Sequence, residues 1–253
     1  MKISIITVCY NCVDKLINTM RSVLCQTYRN LEYLVVDGGS SDGTAKLLHR
    51  VEPLFEKRLR WISEPDGGIY DAMNKGLNLA TGDVVGFLNA ADVYRYPHAL
   101  RLICRAFSEH PDSDAVHANL QFVNADGRVT RLWAGRPYRE GAFRRGWMPA
   151  HPTFYCRRVC YERYGNFDCS IGSAADFELM LRFIEKHRIR THFIPQNLIS
   201  MQNGGISTAG WQAIQRNTRL NRLAFRKNGL ACPWHYFASR FLCKINLFTQ
   251  SAP

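Results

Sequence analysis

The feature that most constrains this chain is the alternation of strand-like and helix-like segments through its first third. Ile3–Cys9 is a β-branched apolar run, Asp14–Cys25 carries Leu16, Met20, Val23 and Leu24 on one helical face, and Leu31–Val36 is apolar again. Arg60–Ser63 and Val84–Leu88 predict further strands, and Ile69–Ala80 predicts a helix with Ile69, Ala72, Met73, Gly76, Leu77 and Ala80 at helical spacing. This order builds an α/β fold, a mostly parallel sheet flanked by helices, because parallel neighbours need a crossover that a helix supplies. Ligands of such sheets bind beyond the carboxyl ends of the strands. Polar residues gather there: Tyr10 and Asn11, Asp37, Glu64 and Asp66, Asn89 and Asp92.

The rest of the pattern is less regular. Ala115–Val123 and Arg128–Trp133 flank Asn124-Ala125-Asp126-Gly127 as a hairpin. Residues 134–150 read as a loop rich in Gly, Arg and aromatics, Ala175–His187 as a helix, the stretch near Arg190–Ile194 as a strand, and Gly210–Lys227 as a basic helix. No repeat or linker marks a second independent unit. We expect one domain over residues 1–230, in two halves (1–95 and 96–230), followed by an amphipathic tail over 231–253.

The 253 residues are 46% hydrophobic, enough for one sizeable core. The formal charge of +12 is uneven: residues 1–130 carry net −1 and residues 131–253 net +13. A basic second half points to an anionic partner, either phosphate groups or an anionic membrane surface. No helix-turn-helix, zinc-finger or RNA-binding signature accompanies the charge, so nucleic acid is not expected. The nine cysteines include a Cys9–Cys12 CxxC and Cys156 and Cys160 four apart. They lack the repeated close pairs of a zinc site and read as reduced thiols. No secretory signal is present, and no run reaches the roughly 20 apolar residues of a membrane span. The expected location is the cytosol, with peripheral contact to the inner membrane.

Asp37-Gly38-Gly39-Ser40-Ser41-Asp42-Gly43-Thr44 follows the second strand as a tight turn that lets backbone approach a ligand, with Asp42 placed to cap the next helix. Neither GxGxxG nor a P-loop is present, which disfavours hydride transfer and ATP hydrolysis by the usual folds. This turn, the opening Ile3-Ser4-Ile5-Ile6-Thr7-Val8-Cys9-Tyr10-Asn11, and Trp61-Ile62-Ser63-Glu64-Pro65-Asp66-Gly67-Gly68-Ile69-Tyr70-Asp71-Ala72-Met73-Asn74-Lys75-Gly76 resemble family 2 glycosyltransferases. The last motif is similar to that of the subgroup that builds O-antigen, colanic-acid and capsule repeat units.

The resemblance implies a GT-A fold with, here, a basic helical C-terminal extension, an inverting mechanism, and Mn²⁺ or Mg²⁺ on the donor diphosphate. By position, Thr7, Tyr10, Asn11 and Asp37 would line the nucleotide pocket, and Asp66, Asp71 and Lys75 would extend it toward ribose and phosphate. The family's paired carboxylates are thinned to Leu88-Asn89-Ala90-Ala91-Asp92, leaving Asp92 as the metal ligand. The catalytic base would be Asp176 in Gly172-Ser173-Ala174-Ala175-Asp176-Phe177-Glu178, with Glu178 as the other candidate. His151-Pro152-Thr153 resembles an acceptor-side segment, and Gly204-Gly205-Ile206-Ser207 a loop closing over the donor.

The implied donor is a nucleotide-sugar, UDP favoured over GDP because Asp37 suits a base with a ring N–H. The implied acceptor is a sugar on a polyprenyl diphosphate. Arg136, Arg139, Arg144 and Arg145, interleaved with Tyr138, Phe143 and Trp147, would meet its phosphates and the headgroups, and the tail from Trp234 to Phe248 would either lie in the interface or pack on the body. The alternative reading is a non-catalytic homologue that binds nucleotide-sugar as a scaffold.

Overall fold

The computed structural model describes residues 1–202 and 210–240. Its strands are β1 (Ile3–Cys9), β2 (Leu31–Asp37), β3 (Leu59–Ser63), β4 (Val84–Phe87), β5 (Val93–Tyr94), β6 (Ala115–Val123), β7 (Val129–Trp133), β8 (Tyr155–Arg157) and β9 (Thr191–Gln202). Its helices are α1 (Val13–Leu24), α2 (Thr44–Val51), α3 (Ile69–Leu79), α4 (Ala99–Glu109), α5 (Arg158–Tyr164), α6 (Ala175–Met180) and α7 (Gly210–Lys227). A wider π-helical turn, Leu181–Lys186, continues α6.

One sheet runs β3-β2-β1-β4-β8-β6-β9-β5, with β7 hairpinned onto β6. The first four strands are parallel. Antiparallel β8 then joins this block to a mixed half in which β6 and β9 are parallel and β5 pairs antiparallel with β9. β8 lies close on β4 because Gly86 has no side chain: a Cβ there would sit 2.1 Å from the Tyr155 ring.

Both faces are covered. Ile3, Ile5, Tyr33 and Val35 pack against α1, α2 and α4, while Ile6, Val8, Leu34 and Val36 pack against α3 and the α6–α7 layer. Doubly covered strands read as continuous apolar runs, which explains why β1 and β2 were the plainest elements of the sequence. The expected strand near residues 190–194 extends to Gln202, because β6 offers it a full-length parallel partner. The expected helix over 175–187 keeps α geometry only to Met180.

One expectation for the basic half is corrected, and one of the two alternatives for the tail is seen in its described part. In the 134–150 segment the arginines are exposed, but Phe143 and Trp147 are buried in the core and meet edge to face with ring centroids 5.4 Å apart. The aromatics anchor the loop and are unavailable to headgroups. In the tail, Tyr236 is fully buried against Phe177 and Phe225, whereas Trp234 stands 88% exposed. The tail thus packs on the body through residue 240 at least in part, and its later apolar residues, Phe241 to Phe248, lie outside the described residues.

His117 on β6 is buried beside Trp147 and Phe193, its Nε2 3.2 Å from the Arg136 carbonyl. Burial pushes it down from 6.5 to about 4. Its folded pKa lies below its unfolded one, so its contribution is complete above pH 6.5 and is lost as pH falls toward 4. The wild-type protein should lose up to about 3 kcal/mol over that window through this residue, and His117→Phe should flatten the loss. Denaturant unfolding at the two ends of the window checks this; equal slopes for both proteins would refute it.

Candidate functional site

Cys9, Asp37 and Ser63 are in register at the carboxyl ends of β1, β2 and β3. Asp37 is fully buried. Its Oδ2 accepts from Ser63 Oγ at 2.6 Å and from the Ser40 backbone N–H at 3.0 Å; its Oδ1 accepts from the Ser40 hydroxyl and, at 3.7 Å, from the Cys9 thiol. A buried carboxylate needs such donors. They fix the Gly38–Ser41 turn across the strand ends.

Neighbouring loops lock onto this turn. Asn11, at φ 45°, donates its backbone N–H to Ser40 Oγ at 2.7 Å and accepts the Ser41 N–H on Oδ1 at 2.9 Å. Asp42 accepts from Val13 N–H at 2.8 Å and Thr44 N–H at 3.1 Å, so it holds the first turns of both α1 and α2. Gly38 lets the 64–68 loop close in, since a Cβ there would lie 2.6 Å from Asp66 Oδ2. Asp66 accepts from Gly68 N–H at 2.8 Å and Asp71 from Gly67 N–H at 2.9 Å. Lys75 reaches back from α3 to Glu64 at 2.7 Å and the Pro65 carbonyl at 2.8 Å. Tyr10 projects 65% exposed over the rim. Six of the seven residues expected on the donor side therefore lie together in the loops at the strand ends: Tyr10, Asn11, Asp37, Asp66, Asp71 and Lys75.

Thr7 is the exception. It is fully buried within β1, donating to the Leu88 carbonyl at 2.5 Å and accepting from the Tyr33 hydroxyl at 3.0 Å. It staples β1 to the chain after β4, within the sheet.

Asp92 lies past β4 at the turn where Ala91 adopts φ 85°. Its side chain is buried, Oδ2 has no hydrogen-bond partner, and burial pushes its pKa up to about 8. Asn89 Oδ1 is likewise buried and unpartnered. Two orphaned oxygens fit a hard divalent cation. Among the described residues, no cluster of three or more His, Cys, Asp or Glu forms a metal cage, so the remaining ligands would have to be phosphate and water.

The other wall is built around Asp176, at the start of α6. It faces a cavity of about 230 Å³ lined by His151, Asn217, Asn221 and Arg240 beside apolar residues that include Leu132 and Trp133. Tyr70, next to Asp71 on α3, donates to the Ser173 carbonyl at 3.4 Å. Burial and the charge of Asp176 raise its pKa, so the phenol stays protonated. Burial pushes His151 down against the opposing pull of Asp176. His151 thus joins the site, stacked on Phe87 at 5.4 Å. Tyr70, Asn217, Asn221 and Arg240 carried no motif pointing to this cavity. The Gly204–Ser207 loop lies outside the described residues.

Glu178 does not belong to the cavity. It is buried and pairs with Arg182 at 2.9 Å and with Asn228 at 2.9 Å. Its role is to brace the fold.

The residues matched by the glycosyl transferase family 2 model run from 4 to 162, which includes all the strand-end loops described above. The chain belongs to glycosyl transferase family 2. This glycosyltransferase is 34% identical over 196 residues to an uncharacterized glycosyltransferase of Mycobacterium tuberculosis, covering 71% of this chain and 68% of that one. It is 28% identical over 188 residues to a PGL/p-HBAD biosynthesis glycosyltransferase of Mycobacterium bovis, covering 74% and 71%. In structure it resembles S. aureus TarS 1–349 in complex with UDP-GlcNAc, with TM-score 0.72, 17% identity, and 98% and 74% coverage. It also resembles the mannosyltransferase PcManGT of Pyrobaculum calidifontis in complex with GDP-Man and Mn²⁺, with TM-score 0.65, 19% identity, and 100% and 76% coverage. The chain spans 43% of the longer TarS structure. These neighbours establish a GT-A-like fold.

Glu178→Ala would leave the buried Arg182 guanidinium without its carboxylate. It should cost about 3–5 kcal/mol of stability in denaturant unfolding. A marginal change in stability would contradict the bracing role.

Proposed function

We propose that this family 2 enzyme transfers a hexosyl or N-acetylhexosaminyl group, with inversion, from a UDP-sugar to a hydroxyl of a lipid-linked saccharide in O-antigen or capsule-type polysaccharide assembly. The observation that carries the proposal is the first turn of α3. Asp71 there holds the donor-side loop, and its neighbour Tyr70 reaches the Asp176 cavity. The two half-sites meet along one helix turn, which suits a reaction between two bound partners.

The strand-end cleft takes the nucleotide. A uracil N–H would meet Asp37 by replacing the Ser40 hydroxyl, one neutral donor for another. Tyr10 offers an exposed ring to the base, and Asp66, Asp71 and Lys75 lie further along the cleft toward α3. The acceptor enters the cavity and offers its hydroxyl to Asp176. As the acceptor oxygen attacks the anomeric carbon, Asp176 takes its proton and the bond to the diphosphate breaks, releasing UDP. Attack from the face opposite the leaving group inverts the anomeric carbon. Asp92 and Asn89 would hold Mn²⁺ or Mg²⁺, which when bound supplies positive charge at the diphosphate. Tyr70 and His151 orient Asp176 and shape the cavity.

The assay is incubation with UDP- and GDP-sugars, Mn²⁺ and a synthetic diphosphate-lipid-linked sugar, with the product anomer read by NMR. Asp176→Asn should lower kcat by about 10²–10⁴-fold and leave UDP affinity by calorimetry unchanged. Full transfer by this variant would remove Asp176 as the base. Asp92→Ala should weaken Mn²⁺-dependent UDP binding by at least about tenfold. Unaltered metal dependence would remove Asp92 as ligand.

A further inference from the structure

The chain has no acidic residue after Glu185, and the described part of this stretch exposes a stripe of arginines. Arg216, Arg219, Arg222 and Arg226 are all exposed on α7. Their spacing of three or four residues places them along one face. The opposite face is buried through Asn217, Asn221, Ala224, Phe225 and Asn228. Among the described residues the ion pair made by α7 is that of Lys227 with Asp168, at 2.6 Å, off the arginine stripe. Among the described residues, no acidic side chain pairs with the four guanidiniums.

Beside the stripe stands Trp234, 88% exposed. Its carbonyl accepts from Arg222 at 3.2 Å, which fixes the indole-bearing segment against the helix. Arg219, Arg222, Arg226, Leu223, Pro233 and Trp234 line one open groove. Cations around an exposed indole suit the headgroup layer of a bilayer, where an indole buries its ring and arginines meet lipid phosphate. Nucleic acid would also answer the charge. But an unstacked indole beside Leu223 and Pro233, with no base-reading motif nearby, favours lipid.

We infer that the outer face of α7, with Trp234, docks this enzyme on an anionic phospholipid bilayer. This relocates membrane contact from the 134–150 loop, whose buried aromatics cannot reach lipid. The geometry also gives the contact a use. The inner face of the same helix lines the Asp176 cavity through Asn217 and Asn221. A bilayer on the outer face lies about one helix diameter, ~10 Å, from the acceptor hydroxyl. An acceptor held in the membrane by a lipid would then present its sugar at the cavity mouth. That last step rests on the transfer reading, whereas the docking itself does not.

The experiment is sedimentation of the full-length protein with phosphatidylcholine vesicles, with or without about one-third phosphatidylglycerol. Binding is expected to the anionic vesicles alone and to fade at about 0.5 M salt. R219E/R222E/R226E should weaken it by at least about tenfold, and Trp234→Ala should weaken it while leaving the charge intact. UDP affinity and melting temperature, measured on the same samples, report the donor cleft and the fold separately; Arg219→Gln provides a milder variant if the triple variant misfolds. Absence of wild-type binding, undiminished binding by the variants, or retention of an RNA oligomer in preference to anionic vesicles would each overturn the inference.

Discussion

The donor side depends on one buried carboxylate. Asp37 has no water to solvate it, so it must collect donors from protein. It finds them on Ser40, in the turn that follows β2, and on Cys9 and Ser63, the last residues of β1 and β3. Strand register alone would bring the ends level, but it would leave the connecting turns free. The carboxylate converts level ends into a fixed rim. Once the Gly38–Ser41 turn is set, Asn11 can bridge it, Asp66 can fold against Gly38, and Lys75 can draw in the 64–68 loop. A ligand therefore meets a surface built before it arrives, which lowers the ordering cost of binding.

The acceptor side uses a similar device. Glu178 and Arg182 form a buried pair, and Arg182 also donates to the carbonyls of Tyr164, Gly165 and Asn166. Asn74 grips both backbone groups of Phe167, each at 3.0 Å. These contacts tie α3, the 164–167 segment and α6 into one unit. Asp176 lies half a helical turn before Glu178 and is held where the unit opens into the cavity. Two acids so close on one helix cannot face the same way. One stabilises the frame and the other faces the cavity.

The parallel half was legible because its strands are buried on both faces and its helices have one apolar stripe each. Elements set by tertiary pairing were not. β8 has three residues and β5 two, too few to show a period, and β9 owes its length to β6. α4 went unread although Leu100, Ile103 and Phe107 form a regular face. Motif position picked out six residues that the fold brings together at the strand ends, but also Thr7, which is buried within β1, because a motif does not say which side of a strand faces outward. Phe143 and Trp147 were misread for a related reason: alternation with arginine is equally the signature of a loop pinned by its aromatics. The cavity was invisible because its walls come from β6, β7, α6 and α7, which no local pattern joins.

The electrostatics of the cavity narrow the choice of base. Besides its arginines, three groups able to exchange a proton lie in or beside it: Tyr70, His151 and Asp176. Burial and the neighbouring carboxylate keep the Tyr70 phenol protonated, so it can only donate. Burial makes the His151 imidazole a poorer proton acceptor, and it is walled in by Phe87 and Phe167. Asp176 is the partly exposed group, with its Oδ1 held by the Phe177 N–H at 2.7 Å. One oxygen is thereby positioned by the helix start and the other is left for a substrate. Under the proposed transfer, a proton released at an acceptor hydroxyl would go to Asp176, which sits against the helix turn that also holds the 64–68 loop.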